Sequence, residues 1–125
     1  MTVQIHGWGP IQIVSKLWGR EEWLSNEDEY CLKRLVLAAG YSSSLHWHRV
    51  KTETFVVQSG ECWLQVMHTE RRLNVGDWVR IQPGVQHRFW NESMYECVIL
   101  EVSTHHDDLD CVRISDSKKL LEDET

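Results

Sequence analysis

The sequence predicts an all-β domain, a barrel or sandwich of roughly ten short strands. Short stretches are rich in β-forming residues, as in residues 30–38 (YCLKRLVLA). In a strand one face of this stretch would carry Cys31, Lys33, Leu35 and Leu37, and the other Leu32, Arg34, Val36 and Ala38. Glycine, asparagine, aspartate and serine separate these stretches, and almost none of the chain has a helical period. With 125 residues, of which 42% are hydrophobic, the chain can form one domain around one core.

The first half of the chain supplies most of the predicted strands. Residues 11–14 form a short strand, and residues 16–24 turn at Gly19 and continue as a strand. Residues 30–38 follow an acidic turn at residues 26–29. Residues 54–58 are rich in β-branched and aromatic side chains, so they predict a strand. Residues 62–67 are expected to run back beside that strand as a hairpin, across Ser59 and Gly60.

The second half continues the pattern as far as its charged end. Further strands are predicted at residues 78–81, 86–90, 95–102 and 111–114. Residues 118–124 are charged and are expected to form a frayed helix or to be disordered. The predicted organisation is an N-terminal arm at residues 1–15, one domain at residues 16–116 and a charged C-terminal tail at residues 117–125.

Three histidines and a glutamate form a candidate metal site. His46 and His48 are separated by one residue, so in a strand both point to the same face. Glu53 follows five residues after His48, and His87 comes just after a Pro-Gly turn. Three imidazoles and a carboxylate suit one divalent ion of Mn, Zn, Fe, Co or Ni, and the donor set alone does not choose among them. The alternative is a hydrogen-bonded core cluster without a metal.

The spacing of these residues resembles the two motifs of the cupin superfamily. Gly40, His46, His48, Glu53 and Gly60 stand at the intervals of the first motif. The second motif is matched by Gly76, Gly84, His87 and Asn91, with Gln82 where a proline is usual. The resemblance implies a single-domain jelly-roll barrel in which His46, His48, Glu53 and His87 bind the metal. Four protein ligands on an octahedral ion would leave two positions for water or substrate.

A wider resemblance points to one group within that superfamily. Residues 16–22 (KLWGREE), 30–35 (YCLKRL) and 100–116 (LEVSTHHDDLDCVRISD) look like segments of the cupin domain of type II phosphomannose isomerases. The similarity covers about residues 16–116, with Leu17 where proline is usual and Ser115 where an acidic residue is usual. It implies metal-dependent interconversion of an aldose phosphate and a ketose phosphate, such as mannose 6-phosphate and fructose 6-phosphate, through a cis-enediolate.

Five further residues are candidates for that chemistry. Arg113 matches the position where the resemblance implies enediolate stabilisation, and a salt bridge to Asp110 or Asp116 is the structural alternative. Glu101 and His106 are candidates for the general base, and His106 is also a candidate for substrate contact. Lys33 either lines the pocket or lies at the barrel rim. Lys51 could meet a substrate phosphate, although a lysine in a loop is more often solvated.

Composition narrows the classes of partner. The formal net charge is −6, and no basic run exceeds two residues, so nucleic acid is not expected as a partner. Residues 1–20 contain no signal-peptide pattern, and no apolar run reaches the length of a membrane span. We therefore expect a cytoplasmic protein that binds a small sugar or sugar phosphate. The four cysteines are expected to be free thiols, and an exposed edge strand near the N-terminus is expected to pair two copies into a homodimer.

Three functions remain open at the level of sequence. The first is a metal-dependent sugar-phosphate isomerase similar to mannose-6-phosphate isomerase. The second is an Fe-dependent cupin dioxygenase, which would use the same four ligands. The third is a non-catalytic cupin module that binds carbohydrate.

Overall fold

The computed structural model describes residues 4, 5 and 7–120 of the chain. In that part there are thirteen strands and one short 3-10 helix, η1 (Asp108–Asp110). The strands are β1 (Gln12–Lys16), β2 (Gly19–Asn26), β3 (Cys31–Leu37), β4 (Tyr41–Ser42), β5 (Leu45–His48), β6 (Glu53–Ser59), β7 (Cys62–Val66), β8 (Thr69–Leu73), β9 (Trp78–Ile81), β10 (His87–Trp90), β11 (Cys97–Ser103), β12 (Cys111–Ser115) and β13 (Lys118–Lys119).

The strands form two antiparallel sheets. One sheet has six strands in the order β1-β2-β3-β11-β6-β9. The other has β12-β5-β10-β4-β13 as its path, with β7 beside β10 and β8 beside β7. A cluster of buried apolar residues from both sheets forms the core. The all-β prediction is therefore confirmed, and no helix in the described part of the chain is long and apolar enough to cross a membrane.

The alternation predicted for β3 determines which side chains face the interior. Lys33 and Leu35 of β3 are buried, as expected from their shared face. Lys33 is the cross-strand partner of Glu101 on β11, and Glu101 is the partner of Phe55 on β6. Since directly opposite residues point to the same side of a sheet, Lys33, Glu101 and Phe55 form one row across the inner face.

The predicted hairpin between residues 54–58 and 62–67 is wrong. β6 lies between β11 and β9, so both of its edges are already paired. The chain instead crosses to the other sheet at Gly60, where φ is +76° and an added Cβ would lie 2.4 Å from the carbonyl oxygen of Glu96. The partner of β7 in a hairpin is β8. Local sequence gives the positions of both strands, but the crossover depends on where β9 and β11 pack.

The two ends of the described chain also form strands. β1 occupies one edge of the six-stranded sheet, and its first residue is Gln12. Lys118 and Lys119 form β13 against β4, and the amide of Leu120 donates to the carbonyl of Gly40 over 2.7 Å. The interpretation of this segment as a frayed helix or a disordered end is wrong for residues 118–120. Residues 1–3 and 6 of the predicted arm, and residues 121–125 of the tail, lie outside the described residues.

Candidate metal centre

Two neighbouring strands bring the three predicted histidines together. His46 and His48 lie on β5, and His87 is the cross-strand partner of His46 on β10. Strand alternation turns all three rings towards the interior. One nitrogen from each ring lies within 4.8 Å of the others. The structure therefore brings the three predicted histidines together at one point inside the sandwich.

Glu53 completes the cluster from the opposite sheet. Its Oε1 lies 3.3 Å from His48 Nε2, and its Oε2 lies 3.1 Å from His87 Nε2. The contact with His87 is short, yet both Glu53 Oε2 and His87 Nε2 are buried without a hydrogen bond of good geometry. Buried polar atoms normally have a hydrogen-bond partner. Two buried atoms that lack one and face each other are therefore arranged as two ligands of the same cation would be.

Two of the histidine rings form a hydrogen bond through the nitrogen that faces away from the cluster. These bonds leave the other nitrogen of each ring able to bind a metal. His46 Nδ1 lies 3.0 Å from the carbonyl oxygen of Ser44, and His87 Nδ1 lies 2.9 Å from that of Val85. A carbonyl oxygen only accepts, so each Nδ1 carries the proton and donates it. Each Nε2 then presents a lone pair to the cluster, which is the usual arrangement of a metal-ligating histidine.

The ionisation states also suit a metal site. Burial, together with the neighbouring His87 and His48, lowers the pKa of His46 to about 3, so the ring is neutral at pH 7. Burial alone would raise the pKa of Glu53, but the close contacts of its carboxylate with His48 and His87 and the charge of Lys51 outweigh that effect. The pKa of Glu53 lies well below its usual range. A neutral imidazole and an ionised carboxylate are the forms that bind a divalent cation.

Lys51 is buried beside the cluster, not solvated in a loop. Only 3% of the residue is exposed. Its Nζ lies 2.7 Å from Glu101 Oε2, 3.2 Å from Glu53 Oε1 and 2.9 Å from His106 Nδ1. Burial alone would lower the pKa of Lys51, but the two carboxylates raise it above its usual value. Three acceptor atoms surround this ammonium group, so Lys51 orients their side chains and is already paired within the protein, which leaves it poorly placed for a phosphate.

His106 links Lys51 to the protein surface. Because the ammonium of Lys51 only donates, His106 Nδ1 accepts, and the ring proton sits on Nε2. That Nε2 lies 2.6 Å from the exposed carboxylate of Asp108. Burial lowers the pKa of His106, and the charges of Lys51 and Lys33 lower it further. The structure therefore gives His106 two protein partners at the end of an ion-pair chain that begins at Glu53.

Asp110 was considered in the sequence only as a salt-bridge partner of Arg113, but in the structure it positions the loop before Glu53. Its carboxylate accepts from the amides of Val50 and Lys51 over 2.9 and 3.1 Å, and its Oδ2 lies 3.9 Å from His48 Nδ1. The pairing of β12 with β5 brings these segments together. In the sequence Asp110 is one of several acidic residues in a polar loop, so no local signal distinguishes it.

Lys33 lies at the other end of the same cavity. The residue is 1% exposed, and its Nζ lies 3.4 Å from Glu21 Oε1 and 4.3 Å from the centre of the Trp23 ring. Trp23 Nε1 donates to the same Glu21 oxygen over 2.9 Å. Burial alone would raise the pKa of Glu21, but Lys33, Trp23 and Lys16 lower it below its usual range. The pocket-lining interpretation of Lys33 agrees with this position, and Glu21 is a residue that the sequence did not single out.

Arg113 lies at the edge of the cavity beside the metal donors. It is the cross-strand partner of His46 on β12, so both side chains point to the same face. The side chain is 59% exposed, and its Nη1 lies 3.7 Å from Asp116 Oδ1. Exposed ion pairs of this kind are worth about 0–1 kcal/mol. Arg113 can therefore exchange Asp116 for an anionic group of a ligand at low cost.

The metal donors and the charged residues line a single cavity of about 280 Å³. This volume is close to the lower end of the range for small-molecule sites, roughly 300–1,000 Å³. Its lining includes four basic and four acidic side chains, which are Lys16, Lys33, Lys51, Arg113, Glu21, Glu53, Glu101 and Asp108. The formal charges cancel, so a bound divalent cation would leave an excess of two positive charges.

The fold and the site define a single-domain cupin, and a comparison with protein families shows the same. The chain belongs to the family described as the Cupin domain, whose model matches residues 33–103. That range includes all four candidate metal ligands, and the predicted fold class is confirmed. No curated protein sequence matches the chain.

Several solved structures resemble the chain in fold at low identity. The capsular polysaccharide assembling protein CapF from Staphylococcus aureus superimposes with a TM-score of 0.72 and 20% identity, over 89% of this chain and 34% of CapF. KdgF from Halomonas sp. gives a TM-score of 0.64 and 13% identity, over 71% of this chain and 80% of KdgF. Oxalate decarboxylase from Bacillus subtilis, which has Mn(II) centres, gives 0.69 and 18%, over 82% of this chain and 30% of the enzyme. The chain thus spans about a third of CapF.

Proposed function

We propose that this protein is a metal-dependent isomerase that interconverts an aldose phosphate and a ketose phosphate. The observation that carries the proposal is the meeting of two groups in one cavity: the donor set of His46, His48, His87 and Glu53, and the carboxylate of Glu101 held by Lys51. Isomerisation needs a cation near a developing oxyanion and a base that can reach a carbon-bound proton. The similarity of residues 16–116 to type II phosphomannose isomerases makes mannose 6-phosphate the first substrate to test.

The metal donors and three charged side chains each have a part in this reaction. A divalent cation in the cluster would supply a Lewis acid that stabilises negative charge on substrate oxygens. Glu101 takes the proton from C2 of the aldose and returns it to C1, while one hydroxyl proton moves from O2 to O1, so the product is an isomer. Lys51 holds the carboxylate of Glu101 in place. Arg113, beside His46, stabilises the negative charge of the enediolate.

The charge balance of the cavity favours a phosphorylated ligand. Four basic and four acidic side chains cancel, so the metal-loaded cavity carries two positive charges in excess. A phosphate monoester at neutral pH carries close to two negative charges. A sugar phosphate would therefore neutralise the loaded cavity, whereas an unphosphorylated sugar would not. CapF, which resembles this chain in fold, is a capsular polysaccharide assembling protein, and this agrees with a carbohydrate ligand.

Proton exchange in deuterated water tests the proposal. The protein is loaded in turn with Mn, Zn, Co and Fe and incubated with mannose 6-phosphate or fructose 6-phosphate, and deuterium incorporation at C1 and C2 is followed by NMR. We expect exchange that stops with a chelator and in Glu101→Gln, and that falls strongly in Arg113→Ala. Lack of exchange with every metal would overturn the isomerase proposal.

A non-catalytic sugar-binding module is the second candidate. The observation that favours it is the ion pair of 2.7 Å between Lys51 and Glu101, which occupies an oxygen that a base would use. Calorimetric binding of a sugar phosphate without any proton exchange would support this alternative. The third possibility, an Fe-dependent dioxygenase, requires oxygen consumption by the Fe-loaded protein, which an oxygen electrode measures in the same preparations.

We further propose that the protein is a homodimer that pairs through β1. Among the described residues β1 pairs with β2 only, and its other edge is open. Ile11 and Ile13 are exposed at this edge, where an open strand can pair with another copy. Light scattering at micromolar concentration should give the mass of a dimer, and a monomeric mass would contradict this arrangement.

A further inference from the structure

We infer that Lys33 and Glu21 form a second attachment point in the cavity, which binds two adjacent hydroxyl groups of the ligand. This inference rests on the proposed function, because it names the part of a sugar phosphate that the metal and Arg113 do not hold. The basis for the inference is the hydrogen-bonding capacity of Lys33 and Glu21 that the described protein leaves unused.

Lys33 has hydrogen-bonding capacity that the described protein does not use. An ammonium group has three N–H donors, and within the described residues Lys33 Nζ has one hydrogen-bond acceptor, Glu21 Oε1 at 3.4 Å. The Trp23 ring takes one further side of the ammonium. Since a buried charged group is costly when its donors are unpaired, the remaining donors favour an oxygen acceptor that enters the cavity.

Lys51 is the internal comparison for this count. Both lysines are almost fully buried and line the same cavity. Lys51 has two carboxylates and an imidazole within 3.2 Å of its Nζ. Lys33 has one carboxylate oxygen, and that oxygen is shared with the indole N–H of Trp23. The difference shows which of the two lysines can still bind a ligand.

Glu21 adds an acceptor at the same place. Its Oε1 already receives Trp23 Nε1 and Lys33 Nζ, whereas among the described residues its Oε2 has only Lys16 Nζ, at 4.0 Å. An open donor beside an open acceptor matches a pair of neighbouring hydroxyls, one of which accepts from Lys33 while the other donates to Glu21. A phosphate dianion fits less well, because it has no O–H group to donate to Glu21.

The position of the pair fits a ligand that also reaches the metal donors. Lys33 is the cross-strand partner of Glu101, and Glu101 contacts the lysine that holds Glu53. These contacts therefore lead from the hydroxyl site past the proposed base to the metal cluster. A polyhydroxylated chain that binds at both ends would lie across Glu101.

Calorimetry with two phosphate esters tests the inference. The Zn-loaded protein is titrated with glucitol 6-phosphate, which has hydroxyls but no carbonyl to isomerise, and with butyl phosphate, which has no further hydroxyl. We expect wild type to bind the hexitol ester more tightly. In Lys33→Met and in Glu21→Gln this affinity should fall roughly tenfold to a hundredfold, because a hydrogen bond to a charged group is lost. The affinity for butyl phosphate should stay within about twofold.

Controls separate this role from folding and from catalysis. Arg34→Met removes a basic residue from the same strand, but Arg34 faces the other side and pairs with Glu22, so it should leave both affinities unchanged. Circular dichroism verifies that each variant is folded; if Lys33→Met is not, Glu21→Gln decides. An equal loss for both esters, an unchanged hexitol affinity or no preference in wild type would each overturn the inference. If the two variants lose affinity for the hexitol ester as expected but the protein catalyses no deuterium exchange, the proposal of an isomerase is wrong and the hydroxyl-binding site is supported.

Discussion

Lys51 Nζ and Glu101 Oε2 form an ion pair of 2.7 Å in the interior of the sandwich, although the two residues lie far apart in the sequence. The same ammonium contacts Glu53, one of the four candidate metal ligands. One buried cation therefore balances two buried carboxylates, and it connects the metal donors to the proposed base. This relationship determines both the stability and the chemistry expected of the cavity.

Removal of Lys51 should strongly destabilise the metal-free protein. Lys51→Met leaves Glu53 and Glu101 buried without their shared counter-charge, and the loss of one partner from a buried ion pair costs roughly 3–5 kcal/mol. Urea denaturation in the presence of a chelator measures this free energy of unfolding. The double variant Lys51→Met/Glu101→Gln should recover part of the loss, since one unpaired charge is removed. Equal stability of Lys51→Met and wild type would contradict the role of Lys51 as a buried counter-ion.

His106 should titrate below the usual range of a histidine. Burial and the charges of Lys51 and Lys33 lower its pKa, so the unfolded chain binds the proton more tightly than the folded one. This residue therefore adds stability above pH 6.5, its unfolded pKa, and the contribution is lost as the pH falls below that value. NMR of the ring C–H protons gives the pKa directly. His105, whose Nδ1 contacts the carbonyl of Glu27 near the surface, is the comparison in the same spectra, and an unshifted His106 would contradict the contact with Lys51.

Much of the fold could be predicted because strand alternation and turn residues are local signals. The shared face of His46 and His48 follows directly from the period of a strand, and His87 lies where the resemblance placed it. The predicted hairpin of residues 54–58 and 62–67 failed for a different reason. The neighbours of a strand depend on distant strands that compete for its edges, and both edges of β6 are taken by β9 and β11.

The site was predictable only where its residues carry a spacing signal. Lys51 resembles any loop lysine in the sequence, and its burial results from the meeting of residues 51, 53, 101 and 106 in the folded protein. Asp110 and Glu21 each lie in a segment with several acidic residues, so the composition of the segment does not show which of these residues has a role. Their roles depend on the pairings of β12 with β5 and of β2 with β3.

Asp110 should control metal affinity without being a ligand. Asp110→Ala removes the acceptor for the amides of Val50 and Lys51, so the loop between His48 and Glu53 loses an anchor. Loss of partners that orient metal ligands typically costs 10–100-fold in affinity. Competition with a zinc chelator measures the dissociation constant, and Asp116→Ala removes a nearby exposed carboxylate as the control. An effect of the same size in both variants would indicate a general charge effect in place of positioning.

Two glycines at similar backbone angles should respond differently to a methyl group. Gly60 and Gly84 have φ values of +76° and +84°, and both resemble motif glycines. An added Cβ at Gly84 meets no atom within 4 Å, so Gly84→Ala should cost only the left-handed conformation, roughly 1–2 kcal/mol. At Gly60 the Cβ would lie 2.4 Å from the carbonyl oxygen of Glu96, which is part of the backbone and cannot rotate away.

Gly60→Ala must therefore shift the crossover from β6 to β7 or the segment before β11, in addition to the same conformational cost. We expect a free energy of unfolding lower than that of Gly84→Ala by at least about 1–3 kcal/mol, the usual cost of overpacking. Urea denaturation of the two variants side by side gives the difference. Equal values would mean that the crossover at Gly60 adjusts freely, and that the packing of the two sheets at this point does not depend on the glycine.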